Sequence, residues 1–196
     1  MRALRLTLPV LSFVLLTSPL AGSQTPAPAP TPAPATAETY TATLQVKGHA
    51  TASTTIRIEL QRYTPDRDRE PVEKGLKFGG YPAFLAALRK ARKVGTVATG
   101  GGTWTIRWAS ASPTPGGRKI VLITDEPMYF LGGGAKDAKP RAGYEVGVIQ
   151  MEVDAAGSGT GSVAAAARVK PGEDGVVVDD YGDQRIEIAK IVREKP

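Results

Sequence analysis

His49 is the only histidine in this chain, and cysteine is absent. Zinc, copper, haem and iron–sulfur sites draw several ligands from those two residue types, so the composition excludes most of them. A Ser-His-Asp relay would have a single base to use. His49 falls in Gly48-His49-Ala50-Thr51, which reads as an exposed turn, and the chain has no nucleophile elbow. Calcium needs only oxygen ligands, and Glu173-Asp174 and Asp179-Asp180-Tyr181-Gly182-Asp183 offer them. Neither follows the D-x-D-x-D-G spacing, and solvated turn acids are the simpler reading. No metal or cofactor is expected.

Asp125 and Glu126 are the carboxylates best placed for hydrolysis, at the end of a strongly apolar run. Neighbours on an extended chain point to opposite faces, so the two cannot face one another as acid and nucleophile. Either would need a partner from elsewhere, and Asp125 before Pro127 also suits a turn. The glycine clusters Gly100–Gly102, Gly132–Gly134 (with Lys136 after it) and Gly157, Gly159, Gly161 fit neither GxxxxGK[ST] nor GxGxxG between a strand and a helix. They read as turns and a small-residue strand. No residue is assigned as catalytic.

The distributed signal is charge. The chain carries 25 Lys and Arg against 19 Asp and Glu, a formal +6. Between Glu73 and Asp125 there is no acid, but there are Lys74, Lys77, Arg89, Lys90, Arg92, Lys93, Arg107, Arg118 and Lys119, with Tyr81, Trp104 and Trp108 interleaved. Such a surface can hold an anionic polymer or head group. Arg89, Lys90, Arg92, Lys93, Arg118 and Lys119 are the candidate binding residues. A competing account is local: cations in a last helical turn offset the helix dipole, and alternating tryptophans belong to a core.

These residues must be positioned by a chain that is not all fold. Arg2 and Arg5, the apolar run Leu6–Leu16, and Ala21 and Ser23 before Gln24 form the three parts of a secretory signal over residues 1–23. The run of about 11 residues is too short to span a bilayer, which takes about 20. Without cysteine at the cleavage point, a lipid anchor is excluded. Loss of the two leader arginines leaves +4. Residues 24–37 alternate proline with alanine and threonine, the composition of a polyproline II tether. Residues 38–196 form one domain, long enough to rest on its own core without disulfides. The expected setting is periplasmic or extracellular. That makes an anionic envelope polymer or another envelope protein a better partner than nucleic acid, and no transmembrane segment is expected once the leader is removed.

Within the domain, Tyr40, Ala42, Leu44 and Val46 alternate with polar residues, as do Ile56, Ile58 and Leu60. This is an antiparallel pair with one wet face each. Asp68 or Glu70 can cap a short helical turn running to Phe78. One full helix is predicted over roughly 80–93, with Tyr81, Phe84, Leu85 and Leu88 on one face and Gly95 as its stop. Further strands are read at 94–98, 103–108 (Trp104, Ile106 and Trp108 on one face), 120–123, 128–131, 144–154, 158–167, 176–178 and 186–192. Ser112–Gly117 reads as a loop. Ile120–Ile123, apolar without alternation between turn formers, suits a strand buried on both faces. In 144–154 the apolar phase switches between Val148 and Ile149, which calls for a bulge at Gly147, a twist or burial on both faces. About nine strands and one inserted helix, without strand–helix alternation, predict a mainly β, antiparallel sandwich or barrel.

Gly116–Pro127, with Val169-Lys170-Pro171 and Tyr181-Gly182 downstream, resembles a group of exported bacterial β-rich proteins of unknown function, over roughly the C-terminal two thirds of the chain. The resemblance implies export and a single β-rich domain, and brings no activity, ligand or site. The leading expectation is an exported, non-catalytic binding module. One alternative is a small barrel carrying an apolar ligand inside it, and the other is a hydrolase built on Asp125 or Glu126.

Overall fold

The computed structural model describes residues 37–46, 53–129, 141–172, 175–180 and 186–195. The leader, most of the tether, His49, Gly132–Gly134, Lys136, Glu173-Asp174 and Tyr181–Asp183 lie outside the described residues. Nine strands form in chain order: β1 (Glu38–Val46), β2 (Ser53–Leu60), β3 (Gly95–Thr99), β4 (Gly102–Thr114), β5 (Gly117–Thr124), β6 (Val146–Val153), β7 (Gly159–Gly172), β8 (Gly175–Asp180) and β9 (Ile186–Arg193). All pairings are antiparallel. The order β6-β5-β4-β3-β2-β1-β9-β7 closes on itself through β6–β7, giving an eight-stranded barrel. β8 pairs only with the distal half of β7, as an arm off the barrel. Of the two architectures predicted, the fold is therefore the barrel.

An eight-stranded barrel is just wide enough for its own side chains to fill. Tyr40, Leu44, Ile56, Ile58, Leu60, Trp104, Ile106, Ile120, Leu122 and Ile149 point inward and are essentially without solvent contact. At one end Met128, fully buried, donates its N–H to Ala165 O, and Pro127 O accepts from Trp104 Nε1 at 3.0 Å. The segment 127–128 thus plugs that end. Of the strand predicted at 128–131, Met128 and Tyr129 are not in a strand, Met128 bonding a bulge rather than a ladder, and residues 130–131 lie outside the described residues.

The insertion α1 (Asp66–Lys90) covers part of the barrel's outside, and for that reason one face assignment differs from the sequence reading. Trp104 and Ile106 face inward, but the β4–β5 register slips between Ile106 and Trp108, so Arg107 is bulged out and Trp108 turns outward onto α1. β6 takes the third of the readings its apolar pattern allowed, burial on both faces. Ile149, Met151 and Val153 face the interior, and Val146 and Val148 are buried from outside with Trp108, Ile123, Phe84 and Leu88. The irregularity opposite Gly147 belongs to β7, whose register shifts between Ala164 and Ala167. The predicted double-sided burial of Ile120–Ile123 has the same origin: Ile120 and Leu122 face in, Ile123 faces the second core, and Val121 is partly covered. β4 and β5 also run through most of the predicted Ser112–Gly117 loop, which shrinks to a tight turn at Pro115-Gly116.

α1 takes in both predicted helical pieces, the turn running to Phe78, which is a longer arm starting at Asp66, and the 80–93 helix, which ends at Lys90. Pro65 is its N-cap, with no side-chain cap from Asp68 or Glu70; Asp66 and Asp68 lie in the first turn, where the helix dipole favours them. Gly80 has φ 67° and ψ −166°, outside any helical region. Asp68 and Arg92 are 24 residues apart, yet Arg92 Nε lies 3.1 Å from Asp68 Oδ2. A straight helix would separate them by about 36 Å. The chain therefore doubles back at Gly80 into two arms, 66–79 and 81–90. A methyl group on Gly75 would stand 2.9 Å from Ala83 O, so the arms meet there with no room for a side chain. Gly80→Ala is expected to cost about 1–3 kcal/mol, because that backbone region is essentially open to glycine alone. Urea unfolding measures it, and a value near zero would mean that the fold of α1 does not depend on Gly80.

Candidate functional site

One cluster closes the end of the barrel opposite Met128, and no sequence reading found it. Glu38 and Tyr40 continue the inward phase of Ala42 and Leu44. Arg118 continues that of Ile120 and Leu122, and Arg193 that of Ile191. Tyr63 follows β2, in a segment that stands in for the short β3: Thr64 N–H bonds Ala109 O (2.9 Å) and Ala109 N–H bonds Thr64 Oγ1 (2.8 Å). Arg118 Nη2 donates to Glu38 Oε1 at 2.5 Å and to Tyr40 Oη at 2.7 Å, and its Nη1 reaches Tyr63 Oη at 3.1 Å. Tyr63 and Tyr40 donate to Glu38 Oε2 at 2.7 and 3.0 Å, and Arg193 Nη1 is 3.4 Å from Oε1. Burial pushes the Glu38 carboxyl up, but the hydrogen bonds from Arg118 and Tyr63 and the Arg118 charge outweigh it, and the net displacement is downward. Burial first, then the Glu38 charge, pushes Tyr40 up to about 12; burial and the Glu38 hydrogen bond push Tyr63 upward too. Both Glu38 oxygens, both tyrosine hydroxyls and both terminal nitrogens of Arg118 are engaged within the cluster, which forms a charged plug.

The six predicted binding residues separate into two places. Arg89 and Lys90 are exposed in the last turn of α1, and Arg92 and Lys93 are exposed just beyond it. Arg92 shares its charge with Asp68. Two more arginines join them through the helix's C-terminal carbonyls: Arg62 Nη2 bonds Lys93 O (3.0 Å) and Arg107 Nη1 bonds Ala91 O (3.0 Å). Sequence could place Arg107 in the acid-free span; Arg62 arrives only because the chain doubles back. Arg118 and Lys119, by contrast, lie on opposite faces of β5. The first is consumed by Glu38, and the second is on the barrel's outside.

Asp125 accepts from Arg107 Nε at 2.7 Å, so the bulged arginine and the strand-end acid hold each other. Glu126 is exposed, with its carbonyl taken by Thr124 Oγ1 (2.7 Å). Among the described residues no group of three or more His, Cys, Asp or Glu is spaced to hold a metal ion, and Asp179 pairs with Lys170. Among the described residues no helix is long and apolar enough to cross a membrane.

Two grooves lie on the outside of the barrel. One of about 340 Å3 separates the first arm of α1 from β4, β5 and β6. The other, of about 630 Å3, crosses β6, β7 and β9 beside β8. They meet at Lys119, Val148, Gln150 and Val178. Neither is lined by Asp125 or Glu126. Compared with known proteins, the chain matches no family model, no curated protein and no solved structure.

Proposed function

We propose that this chain is an exported, non-catalytic β-barrel module that works by surface contact, with the cationic base of α1 as its contact for an anionic envelope polymer. The observation that carries the reading is the exposed set Arg89, Lys90, Arg92 and Lys93, joined by Arg62 and Arg107 and offset there by Asp68 and Asp125. Aligned on a helix end, these cations exceed what the dipole alone would call for, since the last turn itself holds only two of them. The interior packed with Tyr40, Trp104, Leu122 and Ile149 favours a contact module over a carrier. The Arg107 pair ties up Asp125 and counts against hydrolysis. Export rests on the leader composition.

Retention on immobilised dextran sulfate tests this. The wild-type domain is expected to be held and to elute as salt rises, since exposed charges are screened within about 8 Å at 0.15 M. Reversing Arg89, Lys90, Arg92 and Lys93 together to Glu should abolish most of that retention. Reversing Arg168, Lys170, Lys190 and Lys195, which changes net charge equally, should leave most of it. Equal elution of the two variants would sink the reading.

A further inference from the structure

The outside of the barrel is graded along its axis. The antiparallel registers align Trp108, Ile123, Val148 and Ala164 in one row; Ser110, Val121, Gln150 and Ser162 in the next; and Ser112, Lys119, Glu152 and Thr160 in the third, nearest the Glu38 end. The first row is covered by Leu76, Phe84 and their neighbours on α1. The helix does not close over the other two. Between them lies the groove of about 340 Å3, inside the size range of small-molecule sites, roughly 300–1,000 Å3. Val121 on its floor and Val178 on its rim remain partly exposed, apolar surface that nothing in the chain covers completely.

Its ionisable lining is two cations, Lys119 and Arg69, against one carboxylate, Glu73. Among the described residues Lys119 has no ion-pair partner within 4.0 Å, although Glu152 stands across the ladder from it. Arg69 lies over the Trp108 ring at 5.6 Å, its Nε is buried without a hydrogen-bond partner, and Glu73 pairs with it at 3.8 Å. An apolar trough lined by two cations and one carboxylate carries a net positive charge, the complement of an amphiphile with an anionic head.

We propose that this groove binds a single-chain amphiphile with an anionic head. The chain lies between Leu76 and Phe84 on α1 and Val121 and Val148 on the sheet, and the head lies between Lys119 and Arg69. This site shares no residue with the base of α1, so it stands or falls apart from the polymer contact. It also places a ligand outside a barrel whose inside is occupied.

Dodecanoate, kept below its micellar concentration, is the probe, followed by titration calorimetry and by the emission of Trp108. The wild-type protein should bind one equivalent saturably. Val121→Trp, and separately Val178→Trp, should fill the groove and abolish binding. Lys119→Glu should weaken dodecanoate about tenfold and leave dodecyltrimethylammonium no weaker. Thermal unfolding of each variant confirms that it is folded, and the two tryptophan variants act independently. No saturable binding by the wild type, binding unchanged in both filled variants, or tighter binding of the cationic amphiphile by the wild type would each overturn the assignment. The last outcome would hand the site to Glu152 and Glu73.

Discussion

Glu38→Ala is expected to destabilise the domain by about 3–5 kcal/mol, the usual cost of leaving a buried ion-pair partner alone. The Glu38 carboxylate is 6% exposed and the Arg118 side chain 20%, and between them they take up two tyrosine hydroxyls. Removing the carboxylate leaves a largely buried guanidinium and two tyrosine hydroxyls at the closed end of the barrel without their acceptor. Glu38→Gln keeps acceptors for the tyrosines but loses the charge, so about 1–3 kcal/mol is expected. Glu38→Leu combined with Arg118→Met should recover much of the loss, because an apolar pair of similar volume carries no desolvation cost. Urea unfolding of the four proteins measures all of this. A Glu38→Ala change below about 1 kcal/mol would show that water reaches the cluster and that it contributes no more than a surface pair.

The same cluster sets the pH range of stability. The folded carboxyl of Glu38 lies below its ordinary value of 4.5. Its contribution is therefore fully present above pH 4.5 and is lost as pH falls through the lower, folded value. Tyr40 and Tyr63 are displaced upward from 10.0, Tyr40 to about 12. Their contribution is complete below pH 10 and is lost as pH rises past it, because the unfolded chain ionises first. In Glu38→Leu with Arg118→Met the acid flank should disappear with the carboxyl, while the alkaline flank should shrink but persist, because burial, the larger cause of the tyrosine displacements, remains.

These residues show what the chain makes legible and what it hides. The alternation in β1, β2 and β4 and the unbroken run in β5 follow from burial of one face or two, which is a local matter, and they announce a closed or double-layered β fold directly. Glu38, Arg118 and Arg193 are each in inward phase at a strand end, and that much can be read from Tyr40-x-Ala42, Arg118-x-Ile120 and Ile191-x-Arg193. Their meeting depends on the closure of β6 onto β7 and of β1 onto β9, pairings set by no local pattern. Glu38 and Arg118 are 80 residues apart. The bulge at Arg107 is hidden for a related reason. Trp104, Ile106 and Trp108 alternate perfectly, and only the arrival of α1 on the outer face makes it favourable to turn Trp108 out. The break at Gly80 between a first helical stretch and a second is legible locally, but the packing of the two arms against each other at Gly75 and Ala83 is not, because it depends on the reversal. The cationic base was half visible: the run 89–93 is contiguous, while Arg62 and Asp68 join it through that reversal.

Trp104→Ala asks whether this barrel is a solid support or a latent container. Trp104 is 5% exposed, points into the barrel, and gives its Nε1–H to Pro127 O. Truncation should cost about 3–5 kcal/mol in urea unfolding, from lost burial and from a void that a closed sheet cannot collapse to fill. The carbonyl of Pro127 loses its donor as well, which loosens the segment that seats Met128. A cavity lined by Ile106, Leu122, Met128 and Ile149 would stay dry and admit a small aromatic solute. Indole should then raise the melting temperature of Trp104→Ala and leave the wild type unmoved. Equal stabilisation of both would mean that the wild-type interior already has room, and the carrier reading would regain its place. Stabilisation of the variant alone would show that the strands, closure and end plugs of a ligand-binding barrel are present here, with one tryptophan occupying the space, so that whatever this protein binds must be met on its outer surface.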